Sequence, residues 1–451
     1  MQFFEPTHQA AQARLNAVNP AAYARTRNAL DGAVTRLSPY LTHGFLSLRE
    51  VHAAVHTRHP LDAKHKFVFE LGWRAYWHHV WSHLGDGIHQ PIHAGLLPDD
   101  AYQPEVPADV LEARTGIPAI DLAVRELYET GYVHNHARMW LASYLVHLRK
   151  VHWHAGAQWM LGHLLDGDVA SNHLSWQWVA ATGSSKPYLF NADNVAKYAP
   201  AHWHSPGTAI DTSYEALDVI ARSTKAIDTR FDQRRAGAGM AQPVLCSAPR
   251  LCNVRAADDL DRPENQVGLS KRGAWYPPET QGLDVRGRDI YLHHPWSLGA
   301  WVPVCSAQVK EETAKRAGDT EQNMPAPTLR QAHGAPVSPN SLHIAIGFEM
   351  SHTNTPWSER RWDFVTQGLQ AQTQYLWWGS TAQISAALQG ARSVQWQANP
   401  HADATLENLR NHLRQSAPGL SVKSLVTPCL FEPVEVHCRS FSEWWKRTRI
   451  A

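Results

Sequence analysis

Apolar residues recur at three- and four-residue spacing through KHKFVFELGWRAYWHHVW (64–81), IPAIDLAVRELYETG (117–131), NHARMWLASYLVHLRKVHW (135–153) and AGAQWMLGHLL (155–165). That is the period of helices burying one face, and the glycine closing the second stretch is a stop signal. Little β-branched alternation interrupts the chain from Pro20 to about Tyr198, which predicts an all-α domain over residues 1–230. Residues 231–288 turn polar and rich in Pro, Gly and Arg, with GAGMAQP, DRPENQ and YPPETQG, and read as a linker or long excursion. Beyond it, the short candidate strands DIYLHH (289–294), LHIAIGF (342–348) and YLWWG (375–379) alternate with the helical stretches WDFVTQGLQAQ (362–372), TAQISAALQ (381–389) and TLENLRNHLRQ (405–415). This alternation predicts a doubly wound, parallel, Rossmann-like α/β domain over 289–451. No G-x-G-x-x-G loop follows its first strand, so nothing there indicates nucleotide binding.

The 451 residues suit two to four domains. With 43% hydrophobic and 18% charged residues and a mean hydropathy of −0.40, the composition is neither that of a disordered chain nor of a membrane-spanning one. Five cysteines form no C-x-x-C pair, and the start MQFFEPTHQA lacks a signal-peptide pattern. Together these lead us to expect a cytoplasmic protein with no membrane association. Forty-two basic residues balance 41 acidic ones, so no global basic field advertises nucleic acid. The chain carries 28 histidines and 19 tryptophans, and nine of the tryptophans lie in the first 210 positions. Taken singly these aromatics are either core packing or stacking surfaces for a planar ligand. The histidines show no H-E-x-x-H or similar spacing and read as ordinary surface or helix-end residues, so no metal site is expected.

Three segments belong together: TRLSPYLTHGFLSLREV (35–51), ELGWRAYWHHV (70–80), and TGIPAIDLAVRELYETGYVHNHARMWLAS (115–143) continuing to LLDGDVASNHLSWQWVAATG (164–183). In the order and spacing of LSPYL, HN-x-x-RM, DGD-x-x-x-N and WQW, residues 20–190 resemble the flavin-binding helical domain of the photolyase/cryptochrome family. The resemblance implies FAD, bound non-covalently. Tyr23, Thr35, Arg36, Leu37 and Ser38 match the stretch contacting its diphosphate, although Thr35 and Ser38 also read as helix N-caps. Phe67, Asn135, Arg138, Asp166, Gly167 and Asp168 match further cofactor contacts, with Arg138 the partner of Asp166; a structural salt bridge is the alternative. Asn172 matches the position facing flavin N5, or is a turn asparagine. Glu70, Trp73, Arg74, Asn135, Met139 and Trp178 match the cavity where a flipped-out pyrimidine dimer sits. Trp176 and Trp153 match the inner members of an electron-carrying chain, whose outer member has no match unless Tyr102 or Trp81 serves.

The implied activity is light-dependent repair: reduced, photoexcited FAD donates an electron to the dimer, with Glu70, Asn172, Trp153 and Trp176 in the catalytic roles. The partner would be damaged DNA and the protein a monomer. The alternative is a blue-light receptor using the same pocket. The chain's weak basic character, with 16 basic against 17 acidic residues over 1–210, and the altered domain order favour it. A third reading is a flavoprotein redox module with no light role. His136 stands where the family has Arg. The family's α/β domain ordinarily precedes the helical one. Here ERRWDFVTQGLQAQTQYLWWGS (359–380) and FEPVEVHCRSFSEWWKRT (431–448) look like that domain placed last, or are an unrelated α/β domain. No residue identifies a second, antenna chromophore.

Overall fold

The computed structural model describes residues 4–251, 274–299 and 340–451. The first part is helical: α1 (His8–Asn16), α2 (Pro20–Thr26), α3 (Ser38–Thr42), α4 (Leu48–Arg58), α5 (Lys66–Leu84), α6 (Ala108–Leu111), α7 (Pro118–Thr130), α8 (Asn135–Ser143), α9 (Trp153–His163), α10 (Val169–Ala180), α11 (Ala192–Tyr198), α12 (Tyr214–Arg222) and α13 (Arg230–Gln233). Side-chain caps set many starts: Ser47 and Glu50 close a reciprocal capping box on α4, and Asp168 accepts the Ser171 N–H at the head of α10. Gly131 ends α7 in the left-handed region at φ 68°.

The expected single helix over 135–153 is instead α8, a π-helical turn at Tyr144–Leu148, and a break. Its cause is Lys150, at φ 55°, whose buried ammonium donates to the His147, Ile220 and Ala221 carbonyls. Arg149 beside it holds Asp109 through two hydrogen bonds of 2.8 and 3.0 Å. The chain spends two cations in tying this corner to α6 and α12, and the helix restarts only at Trp153.

The second part contains β1 (Leu245–Cys246), β2 (Asp289–His293), β3 (Ser341–Phe348), β4 (Trp357–Ser358), β5 (Tyr375–Gly379), β6 (Ser393–Gln397) and β7 (Ser421–Leu425), with α14 (Glu359–Gln370), α15 (Thr381–Ala387), α16 (Asp403–Ser416) and α17 (Phe441–Arg447). Five strands form a wholly parallel sheet ordered β5-β3-β2-β6-β7, while β1 and β4 pair antiparallel apart from it. This is the expected doubly wound alternation, with β6 (SVQWQ) and β7 (SVKSL) added. Their polar interruptions hid them from an apolar-run reading. Part of the expected linker is packed into this layer. Trp275 is fully buried and donates to Thr366 Oγ1, and Tyr276 exchanges backbone hydrogen bonds with Leu376 and Trp378.

The two parts share a core. One apolar cluster runs from Phe4, Val51 and Val68 in the first helices through Trp296 and Trp357 to Ile344 and Leu409 of the sheet layer; a second lies within residues 110–217. The His43 ring nitrogens lie 2.9 Å from Leu165 O and 2.7 Å from Pro295 O, bridging the parts. Gly44, at φ 74°, has no room for a Cβ, which would meet Trp296 O at 2.6 Å.

Candidate functional site

Helix α3, the loop before it, and the Leu164–Asp168 turn between α9 and α10 build a polar constellation. Tyr23, Thr35 and Arg36 line a cavity of about 570 Å³ together with Arg14, Asn19 and Glu5. Burial, and then Glu70, pushes the Tyr23 phenol above its usual range, so it remains a hydrogen-bond donor at neutral pH. Leu37 is buried beneath this wall, and Ser38 opens α3 by donating to Asp166 Oδ2 at 2.6 Å.

Arg138 places one guanidinium nitrogen 3.0 and 2.7 Å from the two Asp166 oxygens and donates its Nε to Val133 O. Tyr132 lies under both guanidinium groups, 5.3 Å from Arg138 and 6.0 Å from Arg36. Thr42 then links Asp166 to the neighbouring carboxylate: its hydroxyl donates to Asp166 O and accepts from Arg74.

Asp168 is buried. Its Oδ1 accepts the Ser171 N–H, while Oδ2 accepts from Arg74 at 3.0 Å and lies 2.8 Å from His78 Nε2. Burial works to raise its pKa, but Arg74 and His78 outweigh burial and hold the carboxyl well below its usual range. His401, from the sheet part, has its Nε2 3.5 Å from the same oxygen, yet that nitrogen accepts the Val169 N–H and Nδ1 faces Asn399 Oδ1. Burial brings His401 down to about 3, so it is a neutral cap on α10 rather than an ion-pair partner.

Gly167 lies between the carboxylates, and its backbone is held from the sheet part. Arg361 donates to Gly167 O at 2.7 Å and to Leu161 O at 3.0 Å, and stacks 3.9 Å over Trp357. Burial pulls Arg361 down to about 9 against the upward pull of Asp166 and Asp168, so it stays charged at neutral pH. Asn172 donates Nδ2 to Ala157 O at 2.8 Å, leaving its Oδ1 without a donor among the described residues.

The six residues matched to the dimer cavity separate. Glu70 pairs with Arg27 at 3.2 Å and its side chain is 35% exposed. A chain of contacts runs round the same surface: His136 Nδ1 to Asn28 O, His136 Nε2 to the Tyr188 hydroxyl, and Tyr188 to Trp178, which is 38% exposed. Asn135 Nδ2 donates to the sulfur of Met139 one turn on. Trp73 is partly covered: the Phe441 ring lies on it, and Trp445 closes over Gly72. Arg74 is turned to Asp168, and Phe67 is buried edge-on to Tyr23.

Trp176 packs on Gly156 of α9, and no ring contact joins it to Trp153 among the described residues. Tyr102 reaches Trp153 through His152, at centroid separations of 6.3 and 5.8 Å, whereas Trp81 lies against His401. Sequence reasoning missed His78, Arg361 and His401 around the carboxylates. The HH pair in YWHH and the Arg-rich start of α14 were visible, but nothing in their spacing tied them to Asp168.

Residues 67–205 match the family described as the FAD binding domain of DNA photolyase. Over this stretch the chain is similar to an FAD-binding domain of the photolyase type. Over 159 residues the chain is 38% identical to a deoxyribodipyrimidine photo-lyase of Streptomyces griseus, covering 34% of this chain and 33% of the relative. It is 36% identical over 209 residues to one of Thermus thermophilus, covering 44% and 48%, and 35% identical over 171 residues to a cryptochrome DASH of Gloeobacter violaceus, covering 36% and 34%. The matches thus span between a third and a half of these relatives' lengths. An archaeal photolyase structure from Sulfolobus tokodaii with two FAD molecules is similar at 26% identity and a TM-score of 0.38, covering 49% of this chain and 51% of that one. Among the described residues no helix is long and apolar enough to cross a membrane.

Proposed function

We propose that this chain binds FAD in the cavity bordered by Tyr23, Thr35 and Arg36 and uses it for light-driven electron transfer to a pyrimidine dimer in damaged DNA. The observation carrying this reading is the Ser38–Asp166–Arg138 constellation beside that cavity, within a stretch matched to a photolyase FAD-binding domain. The donor set fits the cofactor: Arg14, Arg36, Thr35 and Tyr23 offer cations and hydroxyls to a diphosphate, and Asn172 Oδ1 offers an acceptor to the N5–H of a reduced ring. FAD, when bound, supplies the photoexcitable electron donor.

The chain's own residues orient and exclude. Arg138 and Ser38 hold Asp166 in one rotamer, and Arg361 holds the backbone at Gly167, so the turn is positioned before any ligand arrives. Glu70, half open to solvent beside Arg27, accepts hydrogen bonds from an extruded base, and exposed Trp178 offers a stacking face.

Light reception without repair is the second reading, favoured by the Phe441 ring on Trp73. The deciding assay is illuminated repair of a dimer-containing oligonucleotide by full-length protein whose flavin has been chemically reduced, comparing the wild type with Phe441→Ala. Repair by either protein supports the first reading, and faster repair by the variant makes α17 a cover over the cavity. Absence of repair by both, with flavin retained, leaves light reception.

A further inference from the structure

Three histidines far apart in sequence meet beside the flavin-binding helices. His89 closes a short 3-10 turn after α5, His154 lies in the first turn of α9, and His173 lies within α10. One ring nitrogen from each lies within 4.8 Å of the other two. The rings are 4.7 Å apart for His89 and His173, 5.6 Å for His89 and His154, and 5.5 Å for His154 and His173.

Two observations set the trio apart from an ordinary aromatic cluster. His173 is fully buried; its Nδ1 lies 3.0 Å from Val169 O, which it meets as a donor, and its Nε2 is buried with no partner. His89 Nδ1 is likewise buried, and neither nitrogen has a partner among the described residues. A buried ring nitrogen with no partner is costly to keep dry. His173 has the arrangement of a metal-binding imidazole: one ring nitrogen fixed by a backbone carbonyl, the other left bare for the ion. Gln158 borders His154 Nε2 at 3.4 Å, and Asp86 acts electrostatically on His89 from the same turn.

We infer that His89, His154 and His173 bind one divalent transition-metal ion of borderline softness, such as Zn²⁺, Ni²⁺ or Co²⁺. Imidazole triads suit these ions, with metal–nitrogen bonds of about 2.0–2.1 Å and a fourth position left to water. Tetrahedral bonds of that length bring the nitrogens to about 3.4 Å from one another. The partly exposed rings of His89 and His154 can close that gap around buried His173. The ion would staple the 3-10 turn to α9 and α10 one residue from Asn172. Trp153 would report it, since its ring lies 5.5 Å from His154 and 6.3 Å from His173. The site stands apart from the flavin reading, because none of its ligands is assigned to the cofactor.

The test uses the untagged full chain, stripped with a chelator and dialysed. Zn²⁺ is titrated by calorimetry, and Ni²⁺ or Co²⁺ by quenching of tryptophan fluorescence. One equivalent should bind to the wild type, with affinity reduced at least tenfold in His89→Gln and in His154→Gln. His83→Gln, in the separate His79, His83 and His437 cluster, should leave the affinity unchanged. Trp153→Phe should keep the stoichiometry and lose much of the quenching. Because His89 and His154 are only partly buried, these variants decide the matter even if His173→Gln does not fold. No binding by the wild type at tens of micromolar metal overturns the inference, as does wild-type affinity in either His89→Gln or His154→Gln.

Discussion

Phe441 lies flat on Trp73, with ring centroids 4.1 Å apart and planes 14° from parallel. Tyr76 and Trp445 complete the cluster, so the last helix covers the face of α5 that carries Trp73. Stacked pairs contribute beyond the area they bury, and Phe441 is itself in the core. Phe441→Ala should therefore cost about 3 kcal/mol of stability, measured by urea unfolding, and should raise acrylamide quenching of tryptophan. Unchanged quenching would mean that Trp73 is already accessible in solution.

Arg138 and Asp166 should behave as a unit. Asp166→Asn and Arg138→Ala are each expected to lower flavin retention after gel filtration, with the double variant little worse than either single one. Residues in one hydrogen-bonded pair are not additive. Fully additive losses in that cycle would reject the pairing.

Gly167 has no space for a side chain. A Cβ there would meet Arg361 Nη1 at 2.3 Å and Leu161 O at 2.7 Å. Gly167→Ala should destabilise the protein by about 1–3 kcal/mol through overpacking, while Gly237→Ala, where a Cβ meets nothing within 4 Å, should not. Thermal unfolding of the two variants side by side checks the contrast.

Acid should unfold this protein early. Burial brings His147 and His294 down to about 4 and His352 to about 3. Unfolded, each would take up its proton near the ordinary value of about 6.5. Between the two pKa values the unfolded state binds more protons, so stability falls as pH drops from about 6.5, by up to about 1.4 kcal/mol per pH unit for each histidine. Asp168, held low, adds a loss only further down, as pH falls through its folded pKa. Urea midpoints at intervals from pH 7 to 4.5 should fall steadily, and a flat profile would contradict the buried neutral rings.

The helices of the first part were legible because their apolar residues keep the helical period, as Leu127 on α7 and Leu141 on α8 show. The break at Lys150 was not, because its cause is a set of carbonyls up to 71 residues away. Ser38, Arg138 and Asp166 could be named through local motifs, and they do meet. Arg361 and His401 could not, since they reach the α9–α10 turn from the sheet part across 194 and 232 residues. The histidine trio escaped for the same reason: its members follow no ligand spacing, and only the packing of α9 and the 3-10 turn after α5 on α10 joins them.

The shared core bears on how such a chain can be divided. A fragment ending near residue 230 would keep Asp166 and Asp168 but lose the guanidinium that fastens the backbone between them, the imidazole that caps α10, and the aromatic cover of α5. Its exposed apolar face would favour self-association, and its cofactor turn would be slack. The helical half is thus not an exchangeable module. Grafting it onto another protein would require transplanting α14, the loop bearing His401 and the final helix as well, and the two halves are bound to vary together.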